Sequence, residues 1–66
     1  MSKIWEPQSI DVYKSWVSAI IDEASDKLNE WENNFINDID LRLTYNTQLT
    51  EKQAEILERI YTEKTS

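Results

Sequence analysis

The chain contains no glycine, and this absence constrains its fold more than any other feature of the sequence. Glycine normally supplies the left-handed backbone at tight turns and at helix ends. Here the turns must depend on Asn29 and Asn46, with Thr50 as a helix cap, and Asn46 can take the left-handed conformation that glycine would normally supply. The sequence therefore favours a chain that is almost entirely helical.

Apolar periodicity predicts a first helix in the first half of the chain. From Ile10 to Leu28, apolar residues recur at steps of three and four, and Ser9 precedes them as a candidate N-cap. This helix is expected over residues 9–27. Further apolar side chains, among them Trp16, widen its apolar surface beyond one stripe, which favours a bundle or an oligomer.

A second helix is predicted over residues 30–43. Asn29 and Glu32 have the spacing of a capping box, in which two side chains reciprocally bond two backbone amides. The apolar spacing also allows one unbroken helix from Ser9 to about Leu43. That alternative would require a dimer or a larger assembly, since the short remainder of the chain cannot cover so long a stripe.

The strongest local signal lies before the third helix. Residues 44–48 are β-branched or turn-forming and predict a chain reversal. Thr50 and Gln53 then form a capping box, with Leu49 placed to staple the first turn. A helix is expected over residues 51–63, with Glu55 and Arg59 spaced as a favourable acidic-to-basic pair.

These elements predict an all-α fold. It is either a helical hairpin or a three-helix unit, with helices at about 9–27, 30–43 and 51–63, that assembles into a helical oligomer. Residues 1–8 are expected to form an irregular arm, because Pro7 disfavours helix there, and residues 9–64 a single helical domain. A chain of 66 residues buries little core, which also favours a homo-oligomer or an obligate partner.

The residue types present argue against catalysis. The chain has no His and no Cys, so it lacks the usual general base, the usual thiolate nucleophile and the usual metal ligands. Its serines have no histidine to activate them. We therefore expect a non-enzymatic protein with no catalytic residue, no metal site and no cofactor.

Aromatic and apolar side chains are the better candidates for function. Trp and other aromatics dominate core packing as well as binding hot spots, so each has two interpretations. Trp16, Trp31 and Phe35 are interpreted first as core residues, and Ile4 and Trp5 as a hydrophobic cover that folds back onto the helices. The functional alternative is a surface that binds a protein partner, itself, or both, through Trp5, Trp16, Ile20, Trp31 and Phe35.

The charge suggests a second kind of binding. Seven Lys plus Arg against thirteen Asp plus Glu give a net charge of −6, which disfavours direct binding to nucleic acid. Asp22, Asp26 and Glu30 recur at four-residue steps. The simplest interpretation is a solvated helix face. The alternative is an acidic DNA mimic, an inhibitor that occupies the basic groove of a nucleic-acid-binding protein or a defence system.

Localisation follows from what the sequence lacks. Its longest apolar run, Ala19 to Ile21, is far shorter than the roughly 20 residues of a membrane span. The first residues also lack the apolar core of a signal peptide. A cytoplasmic location in a bacterium or a phage-infected host cell, without membrane contact, is therefore the expectation.

Residues 28–62 resemble a short helical module of phage and mobile-element proteins and of larger DNA-processing proteins. The likeness consists of a W-E-x-x-F segment from Trp31 to Phe35, and an L-T-x-K-Q segment from Leu49 to Gln53 with the apolar positions that follow it. The resemblance implies an accessory role close to nucleic-acid metabolism. The favoured function is a small acidic accessory or regulatory protein that binds protein; the alternatives are the DNA mimic and a structural subunit of a larger enzyme.

Overall fold

Three α-helices follow one another along the chain. The computed structural model describes residues 4–65, in which α1 is Ile10–Ala24, α2 is Glu30–Thr44 and α3 is Glu51–Lys64, without any β-strand. The predicted all-α three-helix unit is confirmed. Within this range, no helix has both the length and the apolar character needed to cross a membrane.

Each helix begins at the cap that the sequence predicts. The Ser9 hydroxyl accepts a hydrogen bond from the first turn of α1 at 3.3 Å. Asn29 and Glu32 exchange two hydrogen bonds, at 2.7 and 3.0 Å, in the predicted capping box of α2. Thr50 and Gln53 do the same at α3, at 3.2 and 3.0 Å. Such caps stabilise a helix by about 1 kcal/mol each.

The connection between α1 and α2 interrupts the α-helical conformation. After Ala24 the chain forms a short 3-10 turn over Ser25–Lys27. Leu28 and Asn29 are then extended, with ψ angles of 137° and 176°. Two extended residues interrupt the helical hydrogen bonds, so the alternative of one unbroken helix from Ser9 to Leu43 is wrong.

Asn46 makes the turn after α2. Its φ of 58° lies in the left-handed region. The sequence predicted this conformation for Asn46 because no glycine is available to supply it. The Asn46 N–H donates to the Leu43 carbonyl at 3.0 Å and the Thr47 N–H to the Arg42 carbonyl at 2.8 Å. This pair of hydrogen bonds is a Schellman motif, which satisfies carbonyls that the end of α2 would leave unpaired.

The core is formed by all three helices together with Leu49. The cluster of side chains that solvent hardly reaches comprises Tyr13, Val17, Ile20, Ile36, Ile39, Leu43, Leu49, Ala54, Leu57 and Ile60. Helix α1 packs against both α2 and α3. Two neighbours within one chain therefore cover most of its apolar surface, while Ile21 is 42% exposed. Covering α1 does not require an oligomer, and the homo-oligomer stays a prediction.

Candidate functional site

The five residues predicted to bind a partner do not form one surface. The prediction that Ile20 binds a partner is wrong, because it lies in the core between the helices and its exposed fraction is 0%. Trp16 and Phe35 are half-buried at the edge of that core. Trp5 and Trp31 are exposed at 37% and 59%. The structure therefore leaves two separate candidate surfaces, one around Trp31 and one around Trp5.

The first surface is centred on Trp31, whose interpretation as a core residue is wrong. Trp31 lies on the flank of α2, whereas Ile36, Ile39 and Leu43 face the core. Its ring stacks on Phe35, with centroids 5.4 Å apart and planes 6° from parallel. Phe35 thus packs against the core on one side and supports the exposed indole on the other.

This flank of α2 continues as a stripe along the whole helix. From Trp31 and Phe35, steps of three and four lead to Asp38 and Arg42 within α2 and then to Tyr45, its C-cap residue. Residues at this spacing lie on one side of a helix. Arg42 Nε donates to Asp38 Oδ2 at 3.2 Å, and Tyr45 is 73% exposed. We call Trp31, Phe35, Asp38, Arg42 and Tyr45 the α2 stripe.

The second surface is an open groove of about 590 Å³ between the N-terminal arm, α1 and α3. The arm contributes Trp5 and Glu6, and α1 contributes Tyr13 and Trp16. The arm is held beside α1 because the Tyr13 hydroxyl accepts a hydrogen bond from the Gln8 N–H at 2.9 Å. Trp5 therefore lies beside the helices and is 37% exposed, whereas Ile4 is 84% exposed, so the predicted hydrophobic cover forms only in part.

Stacked aromatic rings hold the α1 side of this groove in place. Trp16 stacks on Tyr61 of α3, with centroids 5.4 Å apart and planes 18° from parallel. Tyr13 meets the Trp16 ring edge-on at 5.5 Å. Because contacts on two sides fix the indole, this wall of the groove is preformed.

The α3 side of the groove is acidic. Glu51, Glu55 and Glu58 line it, and with Glu6 of the arm they bring four carboxylates to one opening. Among residues 4–65, no Lys or Arg side chain lines the groove. We call the surface formed by Trp5, Glu6, Tyr13, Trp16, Glu51, Glu55 and Glu58 the acidic groove.

The predicted acidic row is a second correction. Asp22, Asp26 and Glu30 are all exposed, but they belong to α1, the 3-10 turn and α2 in turn. Their four-residue spacing places them on one face only if a single helix continues past Ala24, which it does not. The DNA-mimic hypothesis therefore loses the regular row of charges on which it was founded.

The carboxylates of the acidic groove were not among the predicted site residues. Glu51, Glu55 and Glu58 do have the spacing of one helix face, so a signal was present. Because Glu55 was expected to pair with Arg59, the face that it shares with Glu51 and Glu58 was not predicted as a site. That pair does not form: within residues 4–65 the ion pairs are Asp38 with Arg42 and Glu32 with Lys64.

Acidic side chains are numerous, yet in residues 4–65 no three or more of them are arranged to hold a metal ion. Comparison with protein-family models, curated proteins and solved structures gives no match to this chain. Its function is therefore inferred from the geometry and chemistry of the two surfaces.

Proposed function

We propose that this chain is a small non-enzymatic accessory or regulatory protein that binds a helix of a partner protein through the α2 stripe. The observation that carries the proposal is the exposed, stacked Trp31 on a flank of α2 that the core does not use. An exposed tryptophan held in place by a neighbouring ring is the kind of residue that dominates binding energy in protein interfaces.

The spacing of the α2 stripe favours a helical partner. Alternating steps of four and three form the seam along which two helices pack in a coiled coil. The stripe has aromatic side chains at both ends, at Trp31 and Tyr45, and the ion pair of Asp38 with Arg42 between them. A partner helix that placed a polar residue opposite this ion pair would be held in one register, as a single polar residue does in a coiled-coil seam.

The charge of the chain favours a different protein over a second copy. Each copy carries a net charge of −6, so two copies repel one another, whereas a basic partner is attracted and a neutral one is not repelled. The resemblance of residues 28–62 to accessory modules of phage and mobile-element proteins supports the same role.

The proposal is tested by capturing proteins from a lysate of the native host with the wild-type chain and with Trp31→Ala. We expect a partner that the wild type retains in about 0.5 M NaCl, where charges are screened beyond about 4 Å, because apolar contacts survive salt. Trp31→Ala should lose it. Asn37→Ala, which changes an exposed residue of α2 outside the stripe, should keep it.

Two results would contradict the proposal. One is a captured set that Trp31→Ala leaves unchanged or that salt removes. The other is a molar mass by light scattering that corresponds to a dimer in the wild type and a monomer in Trp31→Ala, which would assign the stripe to a second copy.

A further inference from the structure

We propose that the acidic groove is a second binding site, which takes an arginine-bearing, extended segment of a partner protein. This inference is independent of the α2 stripe, because the groove lies between the arm, α1 and α3 and includes no residue of α2. The two sites can therefore be tested and can fail separately.

Charge complementarity is the first reason for a cationic occupant. Glu6 approaches the groove from the arm, and Glu51, Glu55 and Glu58 from α3. Glu51 and Glu55 are like charges at a four-residue step, which weakly destabilises a helix. Several carboxylates around a concave surface attract cations more strongly than the same charges spread over a convex one.

The aromatic walls select the type of cation. A cation over the face of Trp or Tyr is attracted by the ring, and the planar guanidinium of arginine also stacks on such faces. Trp16 is held by Tyr61, and Trp5 is 37% exposed in the lining. Both indoles and the four glutamates line the same groove. The forked donors of arginine bind a carboxylate in pairs, a geometry that the compact ammonium of lysine does not reproduce.

The size of the groove points to a segment of a chain. Its volume of about 590 Å³ lies within the range of about 300–1,000 Å³ that is typical of sites for small ligands. It accommodates one arginine side chain and its neighbours, but not a folded domain. Because the groove is open to solvent, a chain segment can reach it from the surface.

The test uses an acetylated and amidated peptide, Ala-Arg-Ala-Arg-Ala, titrated into the whole chain at low salt and followed by NMR chemical shifts and calorimetry. Its matched control contains citrulline, the neutral isostere of arginine, at both arginine positions. We expect the arginine peptide to shift the indole signals of Trp5 and Trp16, and the citrulline peptide to leave them in place.

Two double variants with the same net charge separate the groove from general acidity. Glu55→Gln/Glu58→Gln should weaken binding about tenfold, since two exposed charge contacts are lost. Asp22→Asn/Asp26→Asn, outside the groove, should change it less than about twofold, through long-range charge alone. Circular dichroism confirms that each variant is folded.

Aromatic variants complete the test. Trp5→Ala should weaken binding, while Trp31→Ala should leave it unchanged even though it removes binding of a helix to the α2 stripe. The inference is overturned if the citrulline peptide binds equally well, if both double variants weaken binding equally, or if Trp5→Ala has no effect. It is also overturned if the indole signals depend on protein concentration without peptide, because a second copy then occupies the groove.

Discussion

Asn46 is the residue at which the lack of glycine has its clearest structural effect. Left-handed backbone costs most L-residues about 1–2 kcal/mol, and Asn is one of the few that adopt it routinely as single residues. At a φ of 58°, Asn46 lets the next amide reach back to Arg42 and close α2. The turn into α3 therefore depends on one side chain that tolerates this conformation.

Replacing Asn46 tests this dependence. We expect Asn46→Ala to lower the free energy of unfolding by about 1 kcal/mol, because Cβ clashes in the left-handed region without the compensation that Asn provides. Asn46→Gly should stay within about 0.5 kcal/mol of the wild type, since glycine adopts this conformation freely at some entropic cost. Urea unfolding followed by circular dichroism measures both.

Asn37→Ala is the matched control, because Asn37 is exposed in the interior of α2 and has helical backbone. It should change the stability by less than about 0.5 kcal/mol. Equal stability of Asn46→Ala and Asn46→Gly would contradict the role assigned to Asn46.

At the scale of elements, the start of α2 connects two parts of the molecule. Asn29 and Glu32 exchange the hydrogen bonds of the capping box. Glu32 also approaches Lys64 at the end of α3, with Nζ and Oε1 3.8 Å apart. The same glutamate thus caps α2 and forms an ion pair with the last turn of α3. A residue recognised by its local capping role therefore also makes a tertiary contact.

Asn29→Ala is expected to destabilise the protein by about 1 kcal/mol, the usual cost of losing a good N-cap. Urea unfolding provides the measurement. Asn33→Ala, an exposed substitution of the same type one turn further along α2, should be neutral or slightly stabilising because Ala is the better helix former. If Asn29→Ala were as stable as Asn33→Ala, the capping box would not stabilise the start of α2.

Local chemistry explains which elements could be predicted. Ser9, Asn29 and Thr50 mark helix starts, because an N-cap depends on residues within one turn of it. The end of α1 is less local. The apolar pattern continues through Leu28, but the chain leaves the α-helix after Ala24 so that α2 can pack on α1. Packing between helices, which the pattern does not contain, determines that boundary.

The candidate sites were even harder to predict from the sequence pattern than the helix boundaries. Trp16 and Trp31 both fit a helical apolar pattern, yet one packs beside the core and the other faces solvent. The difference depends on which flank of each helix meets a neighbour. Likewise, Glu51 and Glu55 become walls of a groove only because the arm lies across from α3.

At the scale of the whole molecule, the fold is compact and has a small core. Its radius of gyration is 11.8 Å, close to the roughly 11 Å of a compact chain of this length. Globular proteins gain about 0.05–0.15 kcal/mol of stability per residue, so about 3–10 kcal/mol is expected here. One lost core side chain is therefore a large part of the total.

Leu57 provides the sharpest test of this view, because it is completely buried in the middle of α3. Leu57→Ala should cost about 2–5 kcal/mol, from lost burial and from the cavity that remains. Leu41→Ala is the matched control: Leu41 is 55% exposed, so the same substitution should cost less than about 1 kcal/mol. Thermal unfolding should then show a far lower midpoint for Leu57→Ala than for Leu41→Ala. A loss of about 2–5 kcal/mol in Leu41→Ala as well would mean that Leu41 is buried in solution, and hence that α2 is covered by another chain. A small loss in both variants would contradict the burial of Leu57.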